Sequence, residues 1–472
     1  MSVPTALALE VTNATVSYAG GLPDELDISI DSRTLGPGQT YLALRGTAFD
    51  GHAFVADAVA AGARALVVSD PAAAPAKIAT LVVEDTRRAL LALGAANRSL
   101  CGACVVAITG SAGKTTTKAL LAGLFEHAAP GRVSATPANE NNEIGVAKLL
   151  LSIPRDAAYA VIELGARHPG DIAPLASAAR PDVAIVTNIG EAHLEIFGSP
   201  EALATTKWAI FATGARPVLG AGDVVSRQRA ASLPSPIVWF APSEAPTRDL
   251  PATDAWVAFR RVDDGYFLVV RPAGATHEIV ESATIAIAGA HNLANLAAAA
   301  AAAYAAGIEP ATIARACAFA ALPPGRYERI EIGDIEIVYD AYNASTSGTL
   351  ATLDSFAHER ASRRIAVLGS MAELGSEAPA MHATVGGAAA RGGLAALLVG
   401  GEFAGDVARG ARAAGFPSDR IVHFASNDEA TSWLAKNTLA GDLVLLKASR
   451  RYRLEEIVAG LRAARERANH DG

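Results

Sequence analysis

The chain has 472 residues, 51% of them hydrophobic, with 40 Lys and Arg against 48 Asp and Glu for a formal charge of −8. That length suggests about three domains, each large enough to bury a core without covalent staples. The acidic balance and a pI near 5.7 exclude a general nucleic-acid binder, which would need a basic face. Met1 to Glu10 carries no basic segment of the signal-peptide kind, and no run approaches the roughly 20 apolar residues of a membrane span. A cytoplasmic location with no membrane partner is expected. The alanines at 294 and 297 to 303 read as a packed soluble helix, bounded by Asn292, Asn295 and Tyr304. Cys101-Gly-Ala-Cys104 has no second pair to complete a zinc site. With Cys317 these thiols read as small buried hydrophobes, or as a redox pair at 101 and 104.

In chain order, Ile28 to Arg33, Tyr41 to Arg45, a helical stretch and the strand Ala65-Leu-Val-Val68 form a small α/β unit over residues 1–84. A helical pattern from Thr86 to Leu100 opens a second unit, 85–322. There the apolar strands Val105 to Ile108, Ala160 to Glu163 and Val183 to Thr187 alternate with helices, and a long helix follows around 284–306. That alternation predicts a mostly parallel sheet with helices on both faces. Leu322-Pro-Pro-Gly325 is a breaker cluster that marks a linker. Beyond it, short buried strands at 335–339, 365–368, 396–399 and 443–446 predict a Rossmann-like, doubly wound domain over 323–472. The fold class is therefore α/β in three domains.

Residues 105–118 carry the strongest chemistry: an apolar strand breaks into Thr-Gly-Ser-Ala-Gly-Lys-Thr-Thr-Thr-Lys and runs into a helix. Gly110, Ser111, Gly113, Lys114, Thr115 and Thr116 suit a phosphate cradle, although the spacing between Gly110 and Gly113 is shorter than in the eight-residue loop pattern. In such a cradle backbone N–H groups wrap a polyphosphate, the lysine neutralises its outer oxygens and the threonine hydroxyl reaches Mg²⁺. Nucleoside triphosphate use, with Mg²⁺, is expected. Glu163 ends an apolar strand, on the sheet edge where ligands bind, and reads either as a Mg²⁺ ligand or as a cap of the next helix. His193, in Thr187-Asn-Ile-Gly-Glu-Ala-His-Leu-Glu195, falls on the same edge. Lys207, on a mostly apolar helix, reads by itself as a snorkelling lysine.

These strings, with Asn-x-Asn-Asn-Glu-Ile-Gly at 139–145, Glu-Leu-Gly-Ala-x-His-Pro-Gly at 163–170, Gly289-Ala-His-Asn-Leu-Ala-Asn295, Pro324-Gly-Arg326, Asp340-Ala-Tyr-Asn343 and Lys447-Ala-Ser-Arg450, resemble the Mur ligases along nearly the whole chain. The resemblance implies an ATP-dependent amide ligase of peptidoglycan precursor synthesis, adding D-alanyl-D-alanine to UDP-N-acetylmuramoyl tripeptide through an acyl phosphate. It implies that Lys207 is carbamylated and shares metal binding with Thr115, Glu163 and His193. Lys114 would neutralise phosphate, Asn295 read adenine, Arg326 clamp the nucleotide and Asp340 hold the ribose. Ser32, Arg33, Gly46 and His52 resemble the part that holds the UDP-sugar, or are turn residues. Asn141, Asn142, Tyr342 and Asn343 are the other expected substrate contacts, and a monomer is the family default. The chain departs from the family pattern at Ala138, at Trp208-Ala209, at Ser345-Thr346 and at Ser370. The last two departures fall where the family receives its amine. Two alternatives stand beside this reading: a divergent ligase joining another amine or acid, and a switch protein that uses ATP for conformational change.

Overall fold

The computed structural model describes residues 2–46, 49–190, 194–372 and 374–470. The first sheet comprises β1 (Ser2–Pro4), β2 (Thr15–Tyr18), β3 (Glu25–Ser29), β4 (Thr40–Leu42), β5 (Ala65–Val68) and β6 (Ala79–Val82), in the order β1-β3-β4-β5-β6-β2. Its inner strands are parallel, and β1 and β2 close the edges antiparallel. The helix Thr86–Ser99 is capped by Asp85, which accepts from the Arg87 and Arg88 amides. Its Leu90 and Leu93 complete the core of this sheet together with Ala147 and Leu151 from the helix Glu143–Ser152. The N-terminal sheet is thus covered by helices that follow it in sequence.

The central sheet has nine strands: β7 (Cys104–Thr109), β8 (Val133–Ala135), β9 (Tyr159–Glu163), β10 (Val183–Val186), β11 (Arg216–Gly220), β12 (Val238–Ala241), β13 (Ala255–Val262), β14 (Gly265–Arg271) and β15 (Ile279–Ala283). The order is β15-β14-β13-β12-β11-β10-β7-β9-β8. It is parallel from β8 to β13, and β13, β14 and β15 form an antiparallel meander. Strands β11 to β15 lie in a stretch where the sequence reading names no elements. Ile108 pairs with Glu163 on one side, and Thr109 with Val186 on the other. This register brings the carboxyl ends of β7, β9 and β10 to one edge.

Alternation along β7 explains the two-sided core. Val105 and Ala107 face one hydrophobic layer, Val106 and Ile108 the other. The second layer is closed by the helix Lys114–Ala128 and by the helix Ala290–Ala305, in which residues 297–303 are at most 1% exposed. Small side chains let this helix lie close against its neighbours, and among the described residues no helix is long and apolar enough to cross a membrane. Cys101 and Cys317 are buried as expected, Cys104 only partly, and all three are free.

The third sheet holds β16 (Glu328–Ile332), β17 (Ile335–Tyr339), β18 (Arg363–Leu368), β19 (Ala396–Gly400), β20 (Ile421–Phe424) and β21 (Asp442–Lys447), in the order β16-β17-β21-β18-β19-β20. All its pairings are parallel except β16 with β17. Each strand that the sequence predicts for this domain is present.

Candidate functional site

At the end of β7 the chain turns through Gly110, at φ +152°, and Gly113, at φ +82°. A Cβ on Gly110 would collide with Thr187 Oγ1, and one on Gly113 with Asn295 Oδ1. Both positions therefore need glycine for space as well as for conformation. No side chain caps the helix Lys114–Ala128, so its first-turn N–H groups face the cleft as an anion-binding end. The loop after β10 fixes the cradle: Asn188 Oδ1 accepts from the Ala112 amide at 3.0 Å, Thr187 donates to the Ala112 carbonyl at 2.6 Å, and Ser111 Oγ accepts from the Gly190 amide at 3.0 Å.

Two lysines converge on one carbonyl. Lys114 Nζ donates to Gly110 O at 2.8 Å and Lys207 Nζ at 3.0 Å. Burial pushes Lys114 below the ordinary lysine range, with Arg326 adding to the effect and Glu163 opposing it. Lys207, 3% exposed, is pushed well down by burial and then by the Lys114 charge. Both effects disfavour the charged form of the Lys207 amine.

Glu163 is 1% exposed. Its Oε1 accepts from Asn141 Nδ2 at 2.8 Å and from Thr115 Oγ1 at 3.2 Å, while Oε2 lies 3.2 Å from Lys118 Nζ and makes no hydrogen bond. This carboxylate and the Thr115 hydroxyl can hold a divalent cation. Among the described residues no group of three or more His, Cys, Asp or Glu could do so alone. An ion here would take its other ligands from phosphate and water, which suits Mg²⁺. His193 lies outside the described residues.

From the opposite side, the C-terminal domain closes a cleft of about 1480 Å³. Arg326 follows the linker, with its guanidinium 4.6 Å from the centre of the Tyr342 ring. Its Nε is buried without a hydrogen bond. Asp340, at the end of β17, accepts from Lys447 Nζ at 2.8 Å and from Thr352 Oγ1 at 2.5 Å, both through Oδ2. Lys447 also donates to the Asn343 carbonyl. His291, at the start of the helix Ala290–Ala305, meets Ser355 across the domain boundary at 2.9 Å. Burial pushes its pKa down to about 4.

Most of the expected residues line this one cleft: Ser111, Gly113, Lys114, Thr115 and Thr116 of the loop, then Asn141, Asn142, Glu163 and Lys207, and across from them Asn295, Arg326, Asp340, Tyr342 and Asn343. Three of them are occupied in ways the sequence did not suggest. Asn295 Oδ1 accepts from Thr117 Oγ1 at 3.3 Å and packs beneath Gly113. Asn142 caps the helix Glu143–Ser152 through the Gly145 amide. Asn141 holds Glu163.

The N-terminal group is apart from the cleft. Gly46 approaches the 49–51 turn by donating its N–H to Phe49 O at 2.7 Å, and Ser32 sits in the turn after β3. Arg33 pairs with Asp31 at 2.7 Å. His52 has both ring nitrogens engaged, Nδ1 with Asp50 and Nε2 with the Ser69 amide, which makes it a brace for its loop. Lys118 carries no expected role although it touches Glu163. The available signal was a lysine one helical turn beyond Lys114 on an otherwise apolar helix face.

Three family descriptions match in chain order: the Mur ligase family catalytic domain over residues 27–98, the Mur ligase middle domain over 108–303, and the Mur ligase glutamate ligase domain over 325–450. The chain belongs to the Mur ligase family. It is 34% identical to the UDP-N-acetylmuramoyl-tripeptide--D-alanyl-D-alanine ligase of Synechocystis over 93% of this chain and 92% of that protein. It also superposes on MurF from Acinetobacter baumannii with a TM-score of 0.85 and 28% identity, covering 98% and 99% of the two chains. The MurF ligase of Thermotoga maritima, solved in complex with ADP, matches with a TM-score of 0.77 and 25% identity over 94% and 98%.

Proposed function

We propose that this chain is an ATP-dependent, ADP-forming ligase that joins D-alanyl-D-alanine to UDP-N-acetylmuramoyl tripeptide, as a cytoplasmic monomer acting on peptidoglycan precursors. The single observation that carries the reading is the cleft itself. An uncapped phosphate loop with Glu163 and Lys207 on one wall faces Arg326, Tyr342 and Asp340 on the other. Residues 1–84 would hold the UDP-sugar, 85–322 the triphosphate and 323–472 the incoming amine.

In the first step a substrate carboxylate oxygen attacks the γ-phosphorus of ATP, giving an acyl phosphate and ADP. Lys114 and the amides of the helix Lys114–Ala128 stabilise the charge on the transferring group. Mg²⁺, held by Thr115 and Glu163, would supply further neutralisation of phosphate oxygens. In the second step the neutral amine attacks the acyl carbon, expels inorganic phosphate and loses a proton, leaving the amide. Arg326 closes the cleft and keeps water from the acyl phosphate. A neutral Lys207 can add CO₂ and release a proton to become a carbamate, which exchanges an unfavourable buried ammonium beside Lys114 for an anion that suits the metal site.

Two of the three departing residues in the C-terminal domain have local explanations. Ser370 is fully buried, accepting from the Phe403 amide at 3.0 Å, and does not face the cleft. Ser345 caps the helix Thr346–Ala357 through the Gly348 amide, a role serine and asparagine share. The deciding experiment is ADP and phosphate release with ATP, Mg²⁺ and the UDP-tripeptide, with and without D-alanyl-D-alanine, followed by product mass. Turnover that requires the dipeptide and yields one amide supports the reading. Turnover with a different amine only, or ATP hydrolysis without an adduct, overturns it.

A further inference from the structure

Lys118 is used by none of the steps above, yet it is 5% exposed and lies against the site. Its ammonium is 3.2 Å from Glu163 Oε2 and also donates to the carbonyl of Ala138. Ala138 sits at φ +41°, in the left-handed region, where an alanine is strained and glycine is not. The turn it belongs to runs from Thr136, whose hydroxyl accepts from the Glu163 amide at 2.9 Å, to Asn141, whose amide donates to Glu163 Oε1 at 2.8 Å. The turn therefore holds Glu163 at two points, its backbone amide through Thr136 and its carboxylate through Asn141, and Lys118 bridges turn and carboxylate from beneath. Lys118 makes no bond to the phosphate loop itself; that loop is fixed by Thr187, Asn188 and Gly190.

We propose that Lys118 is a positioning residue for the ligase reaction: it locks the Glu163 carboxylate to the 136–141 turn, and it supplies the hold that keeps alanine in the left-handed conformation at 138. Removing the ammonium leaves a buried carboxylate without its cation and a left-handed alanine without its anchor. Asn141 and Glu163 then lose their shared position while the triphosphate cradle keeps its own.

The test compares the full-length protein with Lys118→Met, Ala138→Gly and the double variant. The readouts are kcat, the KM for ATP, metal-free ADP binding by calorimetry and amide hydrogen exchange across 136–142. Lys118→Met is expected to lower kcat by about tenfold or more, as for loss of one partner of a buried charge pair. Its KM for ATP and its ADP affinity are expected to stay within about threefold, because the cradle is untouched. Exchange should accelerate at 136–142 and remain slow in the helix Lys114–Ala128. Ala138→Gly should behave like the parent, and in the double variant glycine should recover about threefold in kcat by relieving the strained conformation. Lys118→Gln, which keeps a neutral N–H donor, carries the same comparison where methionine does not accumulate as folded protein.

Parental kcat and exchange in Lys118→Met, or a double variant no faster than the single, overturns the proposal. So does loss of the folded exchange pattern in both Lys118 variants. The activity readout rests on the ligase reading but the exchange readout does not. A chain inactive as wild type whose 136–142 exchange still depends on Lys118 would sink the ligase reading and leave the clamp standing.

Discussion

Gly113 has no room for even one added carbon: its positive φ and the contact with Asn295 Oδ1 both require the missing side chain. Gly113→Ala is expected to lower kcat/KM for ATP on the order of 100-fold by tilting the amides of the cradle, with a smaller effect on thermal stability; steady-state kinetics beside a melting curve separates the two. Lys207 is the reverse case, a residue whose chemistry comes from what surrounds it. Burial and Lys114 leave it poorly suited to carry a charge. Lys207→Ala should lose activity on the order of 100-fold, and added acetate or another short carboxylate should restore part of it. An alanine variant that stays active, or one that no carboxylate rescues, removes the carbamate role.

The helix Ala290–Ala305 links the core to the site. Its alanines allow close packing on the helix Lys114–Ala128, and its N-terminal turn presents His291 and Asn295 to the cleft. Ala300, fully buried, has no space for a larger side chain. Ala300→Leu should cost roughly 1–3 kcal/mol by overpacking and weaken nucleotide binding as well, readable from denaturant midpoints and ADP calorimetry. His291 makes the element sensitive to acid. Its folded pKa of about 4 lies below the ordinary value of 6.5 because the neutral ring is buried. Below pH 6.5 the unfolded chain takes up a proton that the folded one refuses. The stability contributed by neutral His291 is therefore full above pH 6.5 and lost as pH falls towards 4, by up to about 3 kcal/mol. A series of melting temperatures against pH should show His291→Asn lacking this part of the acid loss, and parallel curves would exclude it.

At the scale of the whole molecule, the cleft exists only because two doubly wound domains face each other across the linker at 323–325. Arg326 is the first side chain after that linker to enter the cleft, packed on Tyr342 with its Nε unsatisfied. A desolvated guanidinium of this kind contributes about 2 kcal/mol. Arg326→Ala should raise the KM for ATP by about tenfold, and in solution X-ray scattering nucleotide should contract the variant less than the parent. An unchanged KM would count against the clamp.

The phosphate loop, the β-strands of the C-terminal domain and the alanine helix were legible in the chain because each depends on neighbours in sequence: a glycine turn between strand and helix, a short apolar run, a dense stretch of alanine. Family likeness along the strings at 139–145, 163–170 and 289–295 extended this to the residues that line the cleft. Strands β11 to β15 were not read from the chain, although Ala255 to Phe259 and Tyr266 to Val270 are apolar runs; a short apolar run does not by itself separate a strand from a buried helix segment. Nor were the occupations of Asn142, Asn295 and His52, each of which a motif presents as a free polar group and the fold assigns to a cap, a loop support or a brace. Lys118 with Glu163, Asp340 with Lys447 and His291 with Ser355 are separated by 45, 107 and 64 positions. Local preference and hydrophobic period act over a few residues, so the chain by itself determined its phosphate chemistry and the elements that local pattern marks. Which buried charge neutralises which is set by the order of strands in the sheets and the closure of the domains, and only the tertiary structure decided it.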